Sequence, residues 1–488
     1  MQEKRKSTPW RDFVKEIGSW CPLNLYKIDK NICRYPETTR RPKNLCSVKQ
    51  YYETIENNFH LNKNYDFSKS FFLQYQELYQ AVLLPYLWNL NTENSDYCEN
   101  WRYSKNCYLS FCIVIDVENV WYSFHIKEWC TNVYNTFMAR DNCSNIYQCR
   151  WILRSHNVFY STNIVNSDNI YFSVDLTWCH ECLFCDNLTN QSYHIHNKKY
   201  TKDEYLKLKS DILKQKNKFL EYYAKIPRAS AFIVESDNII NGINVYRVSN
   251  ARNVINVWSK GGNRNLFDLF LGGSPSGEDC YASLYIGPGE NIYCCDYVGW
   301  WQHNYHSFFL ENCSYCLGCI WLKNKQFCIL NKEYSKEERF ELADKIFEQM
   351  DKDWTLWQFF PWSMNPFYFN DTAAYLIDDT FTKEEVTKEW YLWRDEEIKV
   401  DVPEGAEVVS SSPRPSPSEK GAFLSDFQWF DEHWNWKIDP EILKKVIKDE
   451  KGNYYRIVKM EYDFLMKHGL PLPELHRLER IKLGFKFK

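Results

Sequence analysis

Residues 119–171 read NVWYSFHIKEWCTNVYNTFMARDNCSNIYQCRWILRSHNVFYSTNIVNSDNIY. A triplet recurs in this stretch at steps of twelve or thirteen positions: Asn or Asp, then a small apolar residue, then usually an aromatic residue. Its occurrences from residue 106 onward are Asn106-Cys107-Tyr108, Asn119-Val120-Trp121, Asn132-Val133-Tyr134, Asn145-Ile146-Tyr147, Asn157-Val158-Phe159 and Asn169-Ile170-Tyr171. So short a period has no room for a helix and a strand, but it holds two short strands and two turns. The stretch therefore predicts a small parallel β-solenoid.

The same triplet returns in the second half of the chain at steps of eleven to thirteen positions. Its members there are Asn244-Val245-Tyr246, Asn256-Val257-Trp258, Asp268-Leu269-Phe270, Asp279-Cys280-Tyr281, Asn291-Ile292-Tyr293 and Asn304-Tyr305-His306. A coarser repeat links the two halves, because 179–205 aligns without a gap to 313–339, with twelve identities in twenty-seven positions. The chain therefore carries an internal duplication, and two tandem solenoids are expected.

Each repeated segment leads into a helix that opens with a capping box. The boxes are Thr201 with Glu204 and Ser335 with Glu338, in which hydroxyl and carboxylate satisfy unpaired backbone amides. The expected helices run over 202–223 and 336–350, where they would cover the open end of each solenoid. A further amphipathic helix at 71–84 precedes Pro85 and is expected to cap the opposite end of the first solenoid.

These patterns give a mainly β fold with capping helices: two tandem small parallel β-solenoids, with twelve or thirteen positions per coil, each closed by a cysteine-rich cap and a helix. A small α+β module follows at the C-terminal end. The expected segments are 1–64 (N-terminal region), 65–94 (capping helix), 95–228 (first solenoid), 229–352 (second solenoid), 353–403 (aromatic and acidic extension), 404–421 (Ser/Pro linker) and 422–488 (basic module).

Composition narrows the class of protein. A net charge of −4 over 488 residues argues against a chain that coats nucleic acid or an acidic membrane as a whole. The chain has nineteen cysteines, and its first residues, MQEKRKSTPW, contain no apolar signal stretch. No apolar run in the sequence approaches the roughly 20 residues that span a bilayer. We therefore expect a cytoplasmic protein with reduced thiols and no membrane partner.

Two groups of cysteines are candidate metal sites. Cys179, Cys182, Cys185 and His194 form the first group, and Cys313, Cys316, Cys319 and Cys328 occupy the aligned positions of the second. Three thiolates plus an imidazole, or four thiolates, both suit tetrahedral zinc, and the exchange of His194 for Cys328 keeps a zinc ligand. The alternative is core packing, since free Cys behaves as a small hydrophobe and Cys107 and Cys280 fill the apolar place of the ordinary triplet. Zinc is the one cofactor indicated.

Four stretches of the sequence resemble a known family: YDFSKSFFLQYQEL (65–78), CLGCIWLKNKQFCILNKEYSKEE (316–338), FFPWSMNPF (359–367) and YYRIVKMEYDFLMKHGLPLP (454–473). The chain resembles a family of uncharacterised cysteine-rich repeat proteins of candidate phyla radiation bacteria, over most of its length beyond about residue 20. The resemblance implies zinc-ribbon-like modules at both ends. This sequence departs from that pattern, because it has no cysteine after Cys328 and only Cys21, Cys33 and Cys46 in its N-terminal region. By this resemblance, 1–64 is expected to be a degenerate zinc-ribbon-like region.

The sequence leaves three functions open. It contains no P-loop, HExxH, GxSxG or dinucleotide-binding motif, so a structural or interaction scaffold comes first. Nucleic-acid binding is the alternative, with Arg477, Arg480 and Lys482 of the basic tail contacting phosphates. A polymer-acting enzyme on the solenoid face is the third. The expected partner is a protein or a nucleic acid, and the aromatic residues of the coils either pack as a stack or bind bases or sugars.

Overall fold

The computed structural model describes residues 10–95, 97–99, 101–111, 116–226, 234–237, 246–249, 258–259, 267–272, 277–284, 289–299, 301–356, 358–395, 402, 404–412 and 421–485. The first two residues of the triplets at 244 and 256, the centre of the expected linker at 413–420 and residues 486–488 lie outside these ranges. The α-helices are α1 (Trp10–Gly18), α2 (Val48–His60), α3 (Phe71–Ala81), α4 (Lys202–Leu213), α5 (Phe219–Lys225), α6 (Lys336–Lys352), α7 (Ala373–Ile377), α8 (Lys383–Lys388), α9 (Lys459–His468) and α10 (Arg477–Phe485).

Two long parallel sheets of short interleaved strands form a β-solenoid-like region between residues 98 and 195. The parallel strands of one sheet are Ser104–Lys105, Val117–Trp121, Thr131–Tyr134, Ser144–Tyr147, His156–Phe159, Asp168–Tyr171, His180–Leu183 and Ser192–Ile195, and Lys198–Lys199 adds an antiparallel strand at its end. Those of the other are Cys98–Glu99, Ser110–Phe111, Phe124–Ile126, Phe137–Arg140, Arg150–Leu153, Thr162–Val165, Val174–Thr177 and Asp186–Thr189. With its helices the chain is mixed α/β overall, which is broader than the mainly β class expected from the sequence.

Every third residue of the coil has a positive φ. One coil shows φ of 56° at Asn145, 53° at Gln148, 58° at Trp151 and 45° at Arg154. The residue after each of these points into the solenoid, so that four side chains per coil stack in four columns along the axis. This three-residue period explains the triplet, because the Asn takes the left-handed conformation that most residues avoid.

Two of the columns are apolar, and two are small and polar. The first apolar column is Val120, Val133, Ile146, Val158, Ile170, Cys182 and His194, and the second is Ile126, Ala139, Ile152, Ile164, Leu176 and Leu188. The first polar column is Ser110, Ser123, Thr136, Cys149, Ser161, Ser173 and Cys185, and the second is Cys130, Cys143, Ser155, Ser167 and Cys179. Most of these side chains are fully buried, and each buried aliphatic one stabilises the fold by about 1.5–3 kcal/mol.

The triplet asparagines join the coils on the outside. The side-chain amide of Asn119 donates to Oδ1 of Asn132 at 2.9 Å, and Asn132 donates to Asn145 at 3.1 Å. The series runs from Asn94 to Asp168, with one such bond between each pair of neighbouring coils. The same residue therefore supplies the left-handed turn and a bond to the next coil.

The chain divides into two compact units that interleave its segments. One contains residues 1–88 and 228–395, and the other contains 89–227 and 396–486. In the second unit the solenoid-like region packs against the C-terminal module, where the ring of Phe464 lies 4.4 Å from that of Tyr134 and 6.1 Å from that of Tyr147. The module contains strands Val408–Ser410, Ala422–Phe423, Val446–Lys448 and Tyr454–Tyr455, with Gln428–Phe430 and Trp436–Ile438 as a hairpin.

The other unit holds the second sequence copy, whose described strands also pair in parallel. They are Val234–Asp237, Tyr246–Ser249, Trp258–Ser259, Phe267–Gly272, Gly277–Leu284, Gly289–Tyr293, Asp296–Gly299, Trp301–Tyr305 and Phe308–Glu311. Helix α3 packs on this copy: the Phe71 ring lies 5.4 Å from His306, and Tyr79 lies 6.1 Å from Phe308. We expected α3 at the first solenoid, but its ring contacts lie on the second copy.

Among the described residues, no helix is long and apolar enough to cross a membrane.

Candidate metal centre and nucleic-acid surface

The hydroxyl groups of the polar columns bond to the solenoid's own backbone. Ser161 Oγ donates to the carbonyl oxygen of Phe159 at 2.9 Å and accepts a hydrogen bond from the amide of Ser173 at 3.1 Å. Ser173 repeats both bonds one coil later, with Tyr171 and Cys185. Each small polar residue thus satisfies one carbonyl of its own coil and one amide of the next, groups that would otherwise be buried without partners.

Cysteines occupy the same places as the serines. Cys149 Sγ donates to the carbonyl oxygen of Tyr147 at 3.2 Å and accepts from the amide of Ser161 at 3.4 Å. In the second copy, Cys295 Sγ makes the matching bonds with the carbonyl of Tyr293 and the amide of Ser307. A thiol therefore replaces a hydroxyl in these columns, with longer bonds that suit the larger sulfur atom.

The first candidate metal group lies inside this column system. Cys179 and Cys185 are members of the two polar columns, and their Sγ atoms lie 3.5 Å and 3.3 Å from the carbonyl oxygens two residues earlier. Cys182 is directly opposite His194 on the neighbouring strand. The imidazole Nδ1 lies 2.8 Å from the carbonyl oxygen of Ser192, again two residues earlier.

The second group has the same arrangement. Cys313, Cys319 and Cys328 have their Sγ atoms 3.4 Å, 3.6 Å and 3.3 Å from the carbonyl oxygens of Glu311, Leu317 and Gln326. Cys316 lies among these three thiols, and hydrogen bonds with them, that to Cys313 foremost, raise its pKa well above the usual value. All four side chains are fully buried.

Two effects act on the ionisation of these thiols in opposite directions. Hydrogen bonds that Cys182 gives to its neighbours raise its own pKa, and the bond to Cys179 lowers the pKa of that thiol to about 7. The carbonyl oxygens beside the sulfur atoms favour a protonated thiol, whereas zinc binds the thiolate. Within the described residues, no group of three or more His, Cys, Asp or Glu side chains is arranged to hold a metal ion. Ser167 and Ser173 make the same carbonyl contact one coil earlier, so packing accounts for Cys179 and Cys185.

Helices α5 and α9 cover several aromatic residues of the first copy. The ring of Phe159 contacts His468 of α9 at 5.4 Å, and those of Tyr160 and Phe172 contact Phe219 of α5 at 5.4 Å and 5.0 Å. They belong to the hydrophobic core that joins the solenoid-like region to the C-terminal module. This burial supports the packing interpretation of the rings rather than a stripe that binds bases or sugars.

The three basic residues predicted to contact nucleic acid lie in different environments. Arg480 is 2% exposed and pairs with the fully buried Glu461 at 2.5 Å. Its guanidinium carbon also lies 5.0 Å from the centre of the Tyr122 ring. Lys482 pairs with Glu479 at 3.1 Å, and Arg477 is half-buried. Arg480 is thus a core residue out of reach of a bound phosphate, which corrects its expected role.

A row of polar residues that the sequence analysis missed crosses the outer face of the first sheet. Ser144 Oγ lies 2.8 Å from Nδ1 of His156, and Oδ2 of Asp168 lies 3.2 Å from Nδ1 of His180. The regular spacing of these residues, one coil apart and each one position before a triplet place, was the available signal. The row is half-exposed on an open sheet, so water is not excluded from it.

Comparison with protein-family profiles, with curated proteins and with solved structures finds no match to this chain.

Proposed function

We propose that this protein is a structural or interaction scaffold built on a duplicated β-solenoid, with each copy closed by a cysteine-rich end and a helix. Support for the second solenoid comes from the repeated backbone bonds at Cys295 and Ser307 and from parallel pairing one coil apart, as in Tyr293 with Tyr305. Both terminal helices begin with the same capping box. The second copy therefore shares the backbone bonds, the parallel pairing and the capping box of the first.

One observation carries the proposal: side chains of the two polar columns form hydrogen bonds with the solenoid backbone. Ser, Thr and Cys of the polar columns bond to carbonyls and amides of successive coils, and the thiols are fully buried. In a binding cleft, such hydroxyl and thiol groups would serve as nucleophiles or metal ligands. Here they form hydrogen bonds that connect neighbouring coils. Such an interior gives a rigid body whose outer surface is free to contact partners.

The outer surface offers a specific contact line. Trp129 and Trp178 are 61% and 62% exposed, and both lie at the corner of the coil that leads into the second polar column. Four coils separate them, which is about 19 Å at the spacing of β-strands. Tryptophan is enriched in protein contact surfaces, because the indole ring buries a large area at small entropic cost.

Site-specific photocrosslinking tests the proposal. A benzoylphenylalanine at position 129 or 178, introduced into the protein in its native cells, should give one discrete protein adduct, and W129A and W178A should weaken the binding of that purified partner. The matched control carries the crosslinker at Asp211, an exposed residue of α4. The absence of an adduct at both tryptophans, or an enzymatic activity that a single point mutation abolishes, would contradict the scaffold.

Nucleic-acid binding, the alternative function, loses one of its three predicted contacts. Arg480 is buried against Glu461, and Lys482 shares the carboxylate of Glu479 with Lys451. Phosphate binding depends on solvent-facing cations, and each neutralised phosphate adds to the salt dependence of affinity. The alternative now rests on Arg477 and on the exposed lysines of the module, which makes the scaffold the better supported function.

A further inference from the structure

A cavity of about 440 Å³ lies in the unit of the first copy, between the last coils and helices α4 and α5. Its walls are apolar and largely aromatic, and they include Phe172, Val174, Phe184, His196, Ile212 and Tyr222. Cavities of roughly 300–1,000 Å³ with apolar walls and a few polar groups are the usual binding places of small molecules. The scaffold function does not use this space.

The rings around the cavity are held in a fixed geometry. Phe184 stacks on Phe172 with centroids 5.2 Å apart and on His196 with centroids 4.9 Å apart, at interplanar angles of 18° and 8°. Tyr222 meets Phe184 edge-on, at 4.9 Å and 81°. The stack covers both faces of Phe184, so a planar group in this cavity meets the edges of Phe172 and Phe184, one of the two arrangements that aromatic pairs prefer.

The second copy shows what this position accepts. In the alignment of the two copies, Phe172, Val174 and Phe184 correspond to His306, Phe308 and Gly318. There Phe71 of α3 takes the space: its ring lies 5.4 Å from His306, and a Cβ built on Gly318 would come within 2.9 Å of it. The larger Phe308 fills further volume beside Tyr79. Aromatic rings of the chain itself thus fill the place that is a cavity in the first copy.

The charges at the mouth of the cavity indicate the polarity of a ligand. Asp186 and Lys225 both line it, and Lys225 forms an ion pair with Glu221 on the same helix. The lining thus carries one ammonium, which is already paired with Glu221, and one carboxylate, that of Asp186. A cationic group is therefore favoured there over an anionic one.

We propose that this cavity binds a planar aromatic small molecule that carries a positively charged amine. The rings of Phe172, Phe184 and Tyr222 hold the aromatic part, and Asp186 receives the amine. In the second copy the equivalent residue, Ile320, has no charge, so the site belongs to the first copy alone.

Calorimetric titration of the full chain with tryptamine, indole and indole-3-acetate tests the proposal. Tryptamine should bind saturably and at least ten-fold more tightly than indole-3-acetate, with indole between them. Val174→Phe, which copies the residue of the second copy, should weaken tryptamine at least ten-fold without lowering the melting temperature. Asp186→Asn should bring the affinity for tryptamine down to that for indole.

Three results would overturn the inference. They are no saturable binding of any of the three compounds, equal affinity for the amine and the carboxylate, and unchanged affinity in a folded Val174→Phe variant. Binding of a Gly-Trp-Gly amide at least ten-fold tighter than tryptamine would overturn the small-molecule source in favour of a partner's side chain. None of these results bears on the scaffold function, which the crosslinking experiment tests separately.

Discussion

The side chain of Asn197 bonds to both backbone groups of Asp186, accepting from its amide at 2.9 Å and donating to its carbonyl at 2.9 Å. Asn331 does the same for Ile320 at 2.8 Å and 3.0 Å. In each copy one amide side chain thus replaces the backbone of a missing next coil. This bonding protects an exposed strand edge, which would otherwise invite pairing with another chain.

Asn331→Ala should lower the free energy of unfolding by about 2–4 kcal/mol, because it leaves two buried backbone groups unsatisfied. Asn197 is exposed, so water replaces its bonds, and Asn197→Ala should cost about 1 kcal/mol. Urea titration of each variant measures both effects. Asn190→Ala is the control for the left-handed conformation alone, since Asn190 has a φ of 53°; a loss in this control equal to that of Asn331→Ala would contradict the role of the bonds.

Cys149 offers a test of the polar columns. Cys149→Ser should change stability by less than about 1 kcal/mol, because the hydroxyl makes the same two bonds as the thiol. Cys149→Ala should cost about 1–3 kcal/mol, since the amide of Ser161 then loses its partner in a dry interior. Equal stability of the two variants in urea would show that the sulfur acts only through its volume.

The buried pair of Arg480 and Glu461 should be strongly coupled. Arg480→Ala should destabilise the protein by about 3–5 kcal/mol, because Glu461 keeps an unpaired charge in the core. Replacing both residues by Met should recover much of that loss. A variant Arg480→Ala that unfolds at the wild-type urea concentration would contradict the buried pair.

Glu474 gives a prediction with a definite pH dependence. Burial raises its pKa from 4.5 to about 6, so ionisation of the carboxyl destabilises the folded state. Glu474→Gln should therefore be more stable than the wild type by about 1 kcal/mol above pH 6, after allowance for solvent access. The difference should shrink as the pH falls and vanish below pH 4.5, where the carboxyl is protonated in both states. Glu450→Gln, which removes the second cause of the shift, should show a smaller effect.

The sequence alone predicted the coil, the capping boxes and the helix after the second copy. These depend on neighbours in the chain, such as Thr201 with Glu204, and the structure confirms both boxes. The helix expected over 202–223 is wrong in one respect, since it breaks into α4 and α5 around Gln215. The break allows the ring of Phe219 to contact that of Tyr160. This contact between distant residues cannot be read from the local sequence pattern.

Other features depend on contacts across hundreds of residues and could not be predicted. Nothing in the sequence near Phe71 indicates that its ring would lie on Gly318, and nothing near Arg480 indicates its burial against Tyr122. The cysteines were ambiguous for a different reason. Their spacing of three residues fits both a ligand set and the three-residue period of the coil, so the sequence could not decide between zinc binding and core packing.

We propose that the cysteines hold the coils together as reduced thiols. Elemental mass spectrometry of the full chain, purified without chelator, tests this through the amount of zinc per chain. We expect no stoichiometric zinc and nineteen free thiols in the denatured protein. About two zinc ions per chain, lost on substitution of Cys182 and Cys316 by Ser, would contradict it and establish the two cysteine groups as metal sites.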